Sequence, residues 1–129
     1  VGCGSCVYET GKVFLIDQAR EAPALWHSGE KYLMFSSGCT GWSPNTMLYA
    51  ESSAIFGSWR LIDDPCRGPG ARQTFGAQSA AVFAANGQPY ILLDHWHPDD
   101  LRNSGYTILS VTFENGLPTV NWQDEWTGI

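Results

Sequence analysis

The chain is short of basic residues, and the few it has do not gather. Seven Lys and Arg stand against thirteen Asp and Glu, giving a net charge of −6 over 129 residues. Without a cationic cluster to neutralise phosphates, a nucleic-acid partner is not expected. A polybasic membrane contact is disfavoured on the same ground. Also lacking are a run of about 18 apolar residues and a signal-peptide pattern, so no membrane insertion is expected. Asn-x-Ser/Thr does not occur, because Asn45-Thr46-Met47 and Asn103-Ser104-Gly105 both fail at the third position. Helical periodicity never outlasts a turn or two. Its best stretch, Met47 to Ile55, is hemmed in by Pro44-Asn45 and Gly57.

What is present favours short strands. Fourteen Gly and seven Pro punctuate a chain that is 43% hydrophobic and holds six Trp. The strongest pattern is an internal repeat. Glu21-Ala22-Pro23-Ala24-Leu25-Trp26 returns 57 residues later as Gln78-Ser79-Ala80-Ala81-Val82-Phe83. One residue of slippage then aligns Gly29-Glu30-Lys31-Tyr32-Leu33-Met34-Phe35 with Gly87-Gln88-Pro89-Tyr90-Ile91-Leu92-Leu93. Each copy reads as two strands around a Gly-containing turn, opened by a polar residue. Repeats of this length with strand character point to a radial array such as a β-propeller, whose innermost strands converge on a central pocket. Glu21 and Gln78, the two openers, are therefore the first candidates for chemistry.

A weaker third copy, Cys6 to Asp17, begins 18 residues before its successor. That is too short for a four-stranded unit of about 40 residues. The expected organisation is a truncated blade over 1–18, a blade over 19–75 and a blade over 76–129. The fold class is all-β: an incomplete propeller of about two and a half antiparallel four-stranded blades. A ring needs about four to eight blades, so a missing segment or other protein chains are expected to complete it.

The four cysteines, Cys3, Cys6, Cys39 and Cys66, suggest an oxidising compartment and disulfides. Of the three possible pairings, Cys39–Cys66 with Cys3–Cys6 is favoured, because the first would tie two loops of one unit. Cys3-x-x-Cys6 lacks a second close pair for zinc. His95 and His97 flank Trp96 at alternate positions without a third ligand in sight. No metal and no cofactor is expected.

Three segments carry a resemblance: Arg20-Glu21-Ala22-Pro23-Ala24-Leu25, then Ser36-Ser37-Gly38-Cys39-Thr40-Gly41-Trp42-Ser43-Pro44-Asn45, then Ala77-Gln78-Ser79. With the tail Asp94-His95-Trp96 to Tyr106, they resemble the C-terminal half of glycoside hydrolase family 43, in the branch of exo-β-1,3-galactanases and their plant and algal relatives. The resemblance implies a five-bladed propeller that inverts a terminal sugar, with an acid and a base about 6.5–9.5 Å apart. It puts Glu21 at the general-acid position and Gln78 where an amide positions the water. Sugar contacts are expected at Thr40, Trp42, Asn45, Asp94 and Trp96. The family's base and tuning carboxylate come from blades that precede the Glu21 strand, and Glu9 and Asp17 do not take those roles. The family's Asp-Arg-Trp reads Asp94-His95-Trp96 here, and its Ser-Arg-Tyr reads Ser104-Gly105-Tyr106.

Two functions follow. One is part of an extracellular hydrolase acting on terminal β-linked galactose, inactive as this chain alone, with a β-galactan-type glycan as partner. The other is a non-catalytic carbohydrate-binding or structural module of a secreted or cell-surface assembly. Each candidate also has a plainer role. Glu21 and Gln78 can satisfy strand-end groups, Trp42 can plug a loop against the core, and Pro44-Asn45 is an ordinary turn.

Overall fold

A computed structural model of the chain describes residues 15–125 and Gly128. The region of the third copy before residue 15 lies outside these residues, as do Cys3 and Cys6 and therefore the expected Cys3–Cys6 pairing. Nine strands follow one another: β1 Arg20–His27, β2 Tyr32–Gly38, β3 Leu48–Ser52, β4 Arg60–Asp63, β5 Cys66–Arg67, β6 Gln78–Ala85, β7 Gln88–His95, β8 Gly105–Glu114 and β9 Leu117–Asn121. They form two sheets. The first runs β1-β2-β3-β4 and is wholly antiparallel. The second runs β5-β9-β8-β7-β6, antiparallel except for β5, which lies parallel to β9. The chain is thus all-β, as expected, but its second sheet carries a fifth, parallel edge strand. The stretch 19–75, expected as one unit, has its last strand in the second sheet.

Local chemistry explains the hairpins. Ala85 pairs with Gln88 and Glu114 with Leu117, leaving two-residue turns at Asn86-Gly87 and Asn115-Gly116. Both residues of each turn have positive φ, the geometry that matches strand twist and that Asn-Gly adopts at least cost. Alternation does the rest. Leu33 and Phe35 point one way from β2, and Met34 between them points the other, all three fully buried.

The main core lies between the sheets. Leu33, Phe35 and Tyr49 of the first meet Ile91, Leu93, Leu109, Val111 and Val120 of the second. On the far face of the first sheet, Met34 and Ala50 are covered by Leu15, Leu25, Trp59 and Leu61. This sheet is therefore buried on both faces, while most of the second sheet's burial is against the first.

The expected Cys39–Cys66 bridge does not form. Cys66 is a free thiol at 2% exposure, and Cys39 is engaged elsewhere. The reason is topological: Cys66 starts β5 and is drawn into the second sheet, where it pairs with Val120. Its thiol is pushed far up, first by burial and then by the Asp64 carboxylate, so it carries almost no thiolate at neutral pH. Cys66 is expected to resist thiol reagents in the native chain and to react on unfolding, which peptide mass mapping checks. Leu93→Ala, which empties the centre of the inter-sheet core, is expected to cost about 2–5 kcal/mol in urea unfolding.

Candidate active site

The two inner strands break register at the same place. Counting from its turn, β1 pairs with β2 in step as far as Ala24↔Phe35. A bulge at Ala22-Pro23 then shifts the ladder by one residue, so that Glu21 faces Ser37. In β6 the shift falls between Ser79 and Ala81, and Gln78 faces Asp94. Pro23 costs no ladder bond because it sits in the bulge. The Ser79 hydroxyl donates to the Ala22 carbonyl at 2.7 Å, fastening one bulge to the other.

This brings the openers together. Gln78 Nε2 donates to Glu21 Oε1 at 3.0 Å and to Ser37 Oγ at 2.8 Å. Gln78 Oε1 accepts from Trp96 Nε1 at 3.3 Å. The amide is oriented by these partners: its oxygen faces an indole, which only donates, and its nitrogen therefore faces Glu21 and Ser37.

Trp96 also meets Trp42 edge to face, with ring centroids 5.5 Å apart. Both rings are exposed, at 43% and 57%, which suits them to stack on a ligand rather than to fill a core. Together with Ser37, Pro44, Asn45 and Gln78 they line a crevice of about 20 Å³, room for a single water-sized group. A hexose is far larger. These residues therefore make one wall of a site, not an enclosure.

The Trp42 loop is braced from within. Asn45 Nδ2 donates to the Gly38 carbonyl at 2.9 Å and to Thr40 Oγ1 at 2.6 Å, and Asn45 Oδ1 accepts from the Gly38 amide at 2.7 Å. Thr40 Oγ1 in turn donates to the Ser43 carbonyl at 2.6 Å. The donors of Thr40 and Asn45 are thus spent on the loop. A side chain at Gly38 would crowd Asn45 Oδ1 at 3.3 Å, so glycine permits the closure.

Asp94 and His95 follow the register. Asp94 lies opposite Gln78 on one side and Tyr106 on the other. Partial burial pushes its carboxyl above the usual range, with the His95 charge pulling the other way. The His95 ring shares a 2.7 Å hydrogen bond with Thr107 Oγ1, and burial holds its pKa down. Among the described residues no group of His, Cys, Asp and Glu is arranged to hold a metal ion. No helix among them is long and apolar enough to cross a membrane.

Sequence reasoning did not find Ser37 or Arg20. Ser37 sits opposite Glu21 only because of the bulge, which a count from the turn does not reveal. The half-buried Arg20 bonds Ser36 Oγ at 3.1 Å, the Ser36 carbonyl, and the Thr46 carbonyl at 3.5 Å. It straps the end of β2 to the far side of the loop. Its signal was its place at the head of the segment Arg20 to Leu25 that carries the family resemblance.

A β-sheet scaffold with a carboxylate, an amide and an aromatic wall at its inner strand ends is the kind found in glycoside hydrolases. Solved structures narrow the class. The chain superposes on a family 43 β-1,3-galactosidase solved with galactodeoxynojirimycin, with a TM-score of 0.80 and 37% identity over 83% of this chain and 32% of that one. A second family 43 β-1,3-galactosidase matches at a TM-score of 0.79 and 33% identity, over 83% of this chain and 23% of that one. An exo-β-1,3-galactanase from Clostridium thermocellum matches at 0.67 and 27%, over 81% and 23%. No family model and no curated protein matches. The chain is a family-43-like segment, similar to part of the β-1,3-galactosidases and exo-β-1,3-galactanases. It spans a third or less of the length of these relatives.

The raised Asp94 pKa has a definite sign for stability. A carboxyl whose folded pKa exceeds its unfolded value stabilises at low pH and loses that contribution as pH rises through the folded value. Asp94→Asn is expected to raise the neutral-pH melting temperature, with the gain vanishing in acid. Melting curves from pH 3 to 7 check it.

Proposed function

We propose that the chain supplies one wall of a site for terminal β-linked galactose, with Glu21 as the general acid of an inverting hydrolase. The observation that carries this reading is the 3.0 Å contact between Gln78 and Glu21, set beside the exposed Trp42–Trp96 pair on a chain that resembles β-1,3-galactosidases. In an inverting step the acid gives its proton to the leaving glycosidic oxygen while a base takes one from the attacking water. Glu21 can do the first. Gln78 cannot do the second, because an amide is not a base. It holds the acid, and the acceptor site its oxygen keeps beside the Trp96 indole is the one open to a water.

Trp42 and Trp96 would stack on the sugar, and Asp94 would take a hydroxyl. Thr40 and Asn45 would act through the loop they brace, each keeping acceptor capacity for a hydroxyl. The base and the tuning carboxylate would come from a missing segment or another chain. That polypeptide would complete a five-bladed ring, to which this chain gives about two and a half blades. A secreted or cell-surface location belongs to the same reading. The alternative is a non-catalytic carbohydrate-binding or structural module. It is favoured by the small crevice and by His95 and Gly105, which stand where the resemblance expects arginines.

Galactose release from β-1,3-galactotriose decides between them. This chain alone is expected to bind galactodeoxynojirimycin without turnover. Polypeptide that restores the ring is expected to hydrolyse the trisaccharide, and Glu21→Gln to reduce that rate by about 10²-fold or more. Binding that never becomes turnover, or no binding in either form, would leave the module reading.

A further inference from the structure

We infer that Thr74 is a positioning residue, whose hydroxyl ties a left-handed turn to the base of the Trp42 loop and so sets Gln78 against Glu21. The functional consequence rests on the sugar-site reading above; the geometry does not.

Between β5 and β6 the chain passes through three successive left-handed residues: Thr74 at φ 50°, Phe75 at 59° and Gly76 at 79°. L-residues avoid this region at about 1–2 kcal/mol each, and a β-branched residue there is a true outlier. Glycine would be unstrained at residue 74. The position instead carries a side chain whose hydroxyl makes two bonds. Thr74, 1% exposed, accepts the Met47 amide at 2.8 Å and donates to the Asn45 carbonyl at 2.7 Å. Strain of this kind persists only where the surroundings over-determine the backbone, and it gathers at working sites.

The neighbours complete the clamp. Phe75 packs on Trp122 with centroids 5.2 Å apart, and the Ala77 amide returns to the Thr74 carbonyl at 3.0 Å. Thr46 Oγ1 adds a tether to the Arg72 carbonyl at 2.7 Å. After Ala77 the chain is extended and Gln78 begins β6. On the other side, Asn45 is the residue whose amide braces Gly38 and Thr40. A continuous path therefore joins the aromatic wall to the amide: Trp42 loop, Asn45, Thr74, Gly76, Gln78. The hydroxyl is the side-chain link on that path between the two sheets' loops, with the Thr46–Arg72 tether beside it.

The test uses the full chain, labelled with ¹⁵N, reading the Gln78 side-chain amide and the Trp42 and Trp96 indole N–H resonances. Thr74→Ser keeps the hydroxyl and is expected to leave all of them in place. Thr74→Val and Thr74→Gly remove it, and are expected to shift the Gln78 amide and the Trp96 indole and to speed the amide's exchange. Glycine accepts the left-handed backbone, so Thr74→Gly is expected to fold even where Thr74→Val does not. Lowered melting temperatures with unmoved Gln78 and Trp96 resonances would reduce Thr74 to a structural residue and overturn the inference. Galactodeoxynojirimycin titration forms a second arm, where the shifted variants are expected to lose affinity on the order of tenfold or more. Shifted resonances in a chain whose parent binds no sugar would uphold the positioning role and sink the sugar reading alone.

Discussion

The site depends on two matched bulges. Without them the inner strands would run in step to their ends, the partner of Glu21 would be Gly38 rather than Ser37, and the Ser79–Ala22 bond would have no geometry to form in. A bulge adds local twist and re-aims the side chains beside it. Here two of them, on strands packed through the inter-sheet core, turn a carboxylate and an amide toward each other. The apolar packing of Leu33, Phe35, Ile91 and Leu93 holds the sheets at the distance that a side-chain hydrogen bond then spans.

Both hydrogens of the Gln78 amide are committed at that meeting point. Gln78 gives both hydrogens of its nitrogen to the oxygens of Glu21 and Ser37, and its oxygen takes the Trp96 indole N–H, which can only donate. Such a group is rigid and specific, and leaving any of its partners unpaired is costly. It suits an amide that fixes the rotamer of an acid.

The repeat was legible because it lives in apolar alternation and in the turn glycines, which are local. From it came the two inner strands and the pairing of Glu21 with Gln78 as openers. The resemblance added Trp42 and Trp96, which meet at the crevice. Other features were not legible. β5 is two residues long, has no periodicity of its own, and pairs with a strand more than fifty residues away. No pattern at Cys66 betrays that it will be pulled into the second sheet, so an even count of cysteines suggested the wrong bridge. Ser37 was hidden by a one-residue slip. The use of Thr40 and Asn45 as an internal brace is invisible until the loop is closed, since Thr and Asn serve loops and sugars with the same atoms. Thr74 had no signal, because a left-handed threonine is what propensity argues against.

The parallel strand has a consequence for how the chain is made. β5 leaves the ribosome ahead of the whole of β6 to β9, yet its strand partner among the described residues is the last of them. The first sheet can close its ladders as it emerges. The second cannot seal this edge until β9 has been made. Until then Cys66, deeply shielded in the finished fold, is open to solvent and to other thiols. The window of vulnerability is therefore the birth of the molecule, and it closes when β9 pairs.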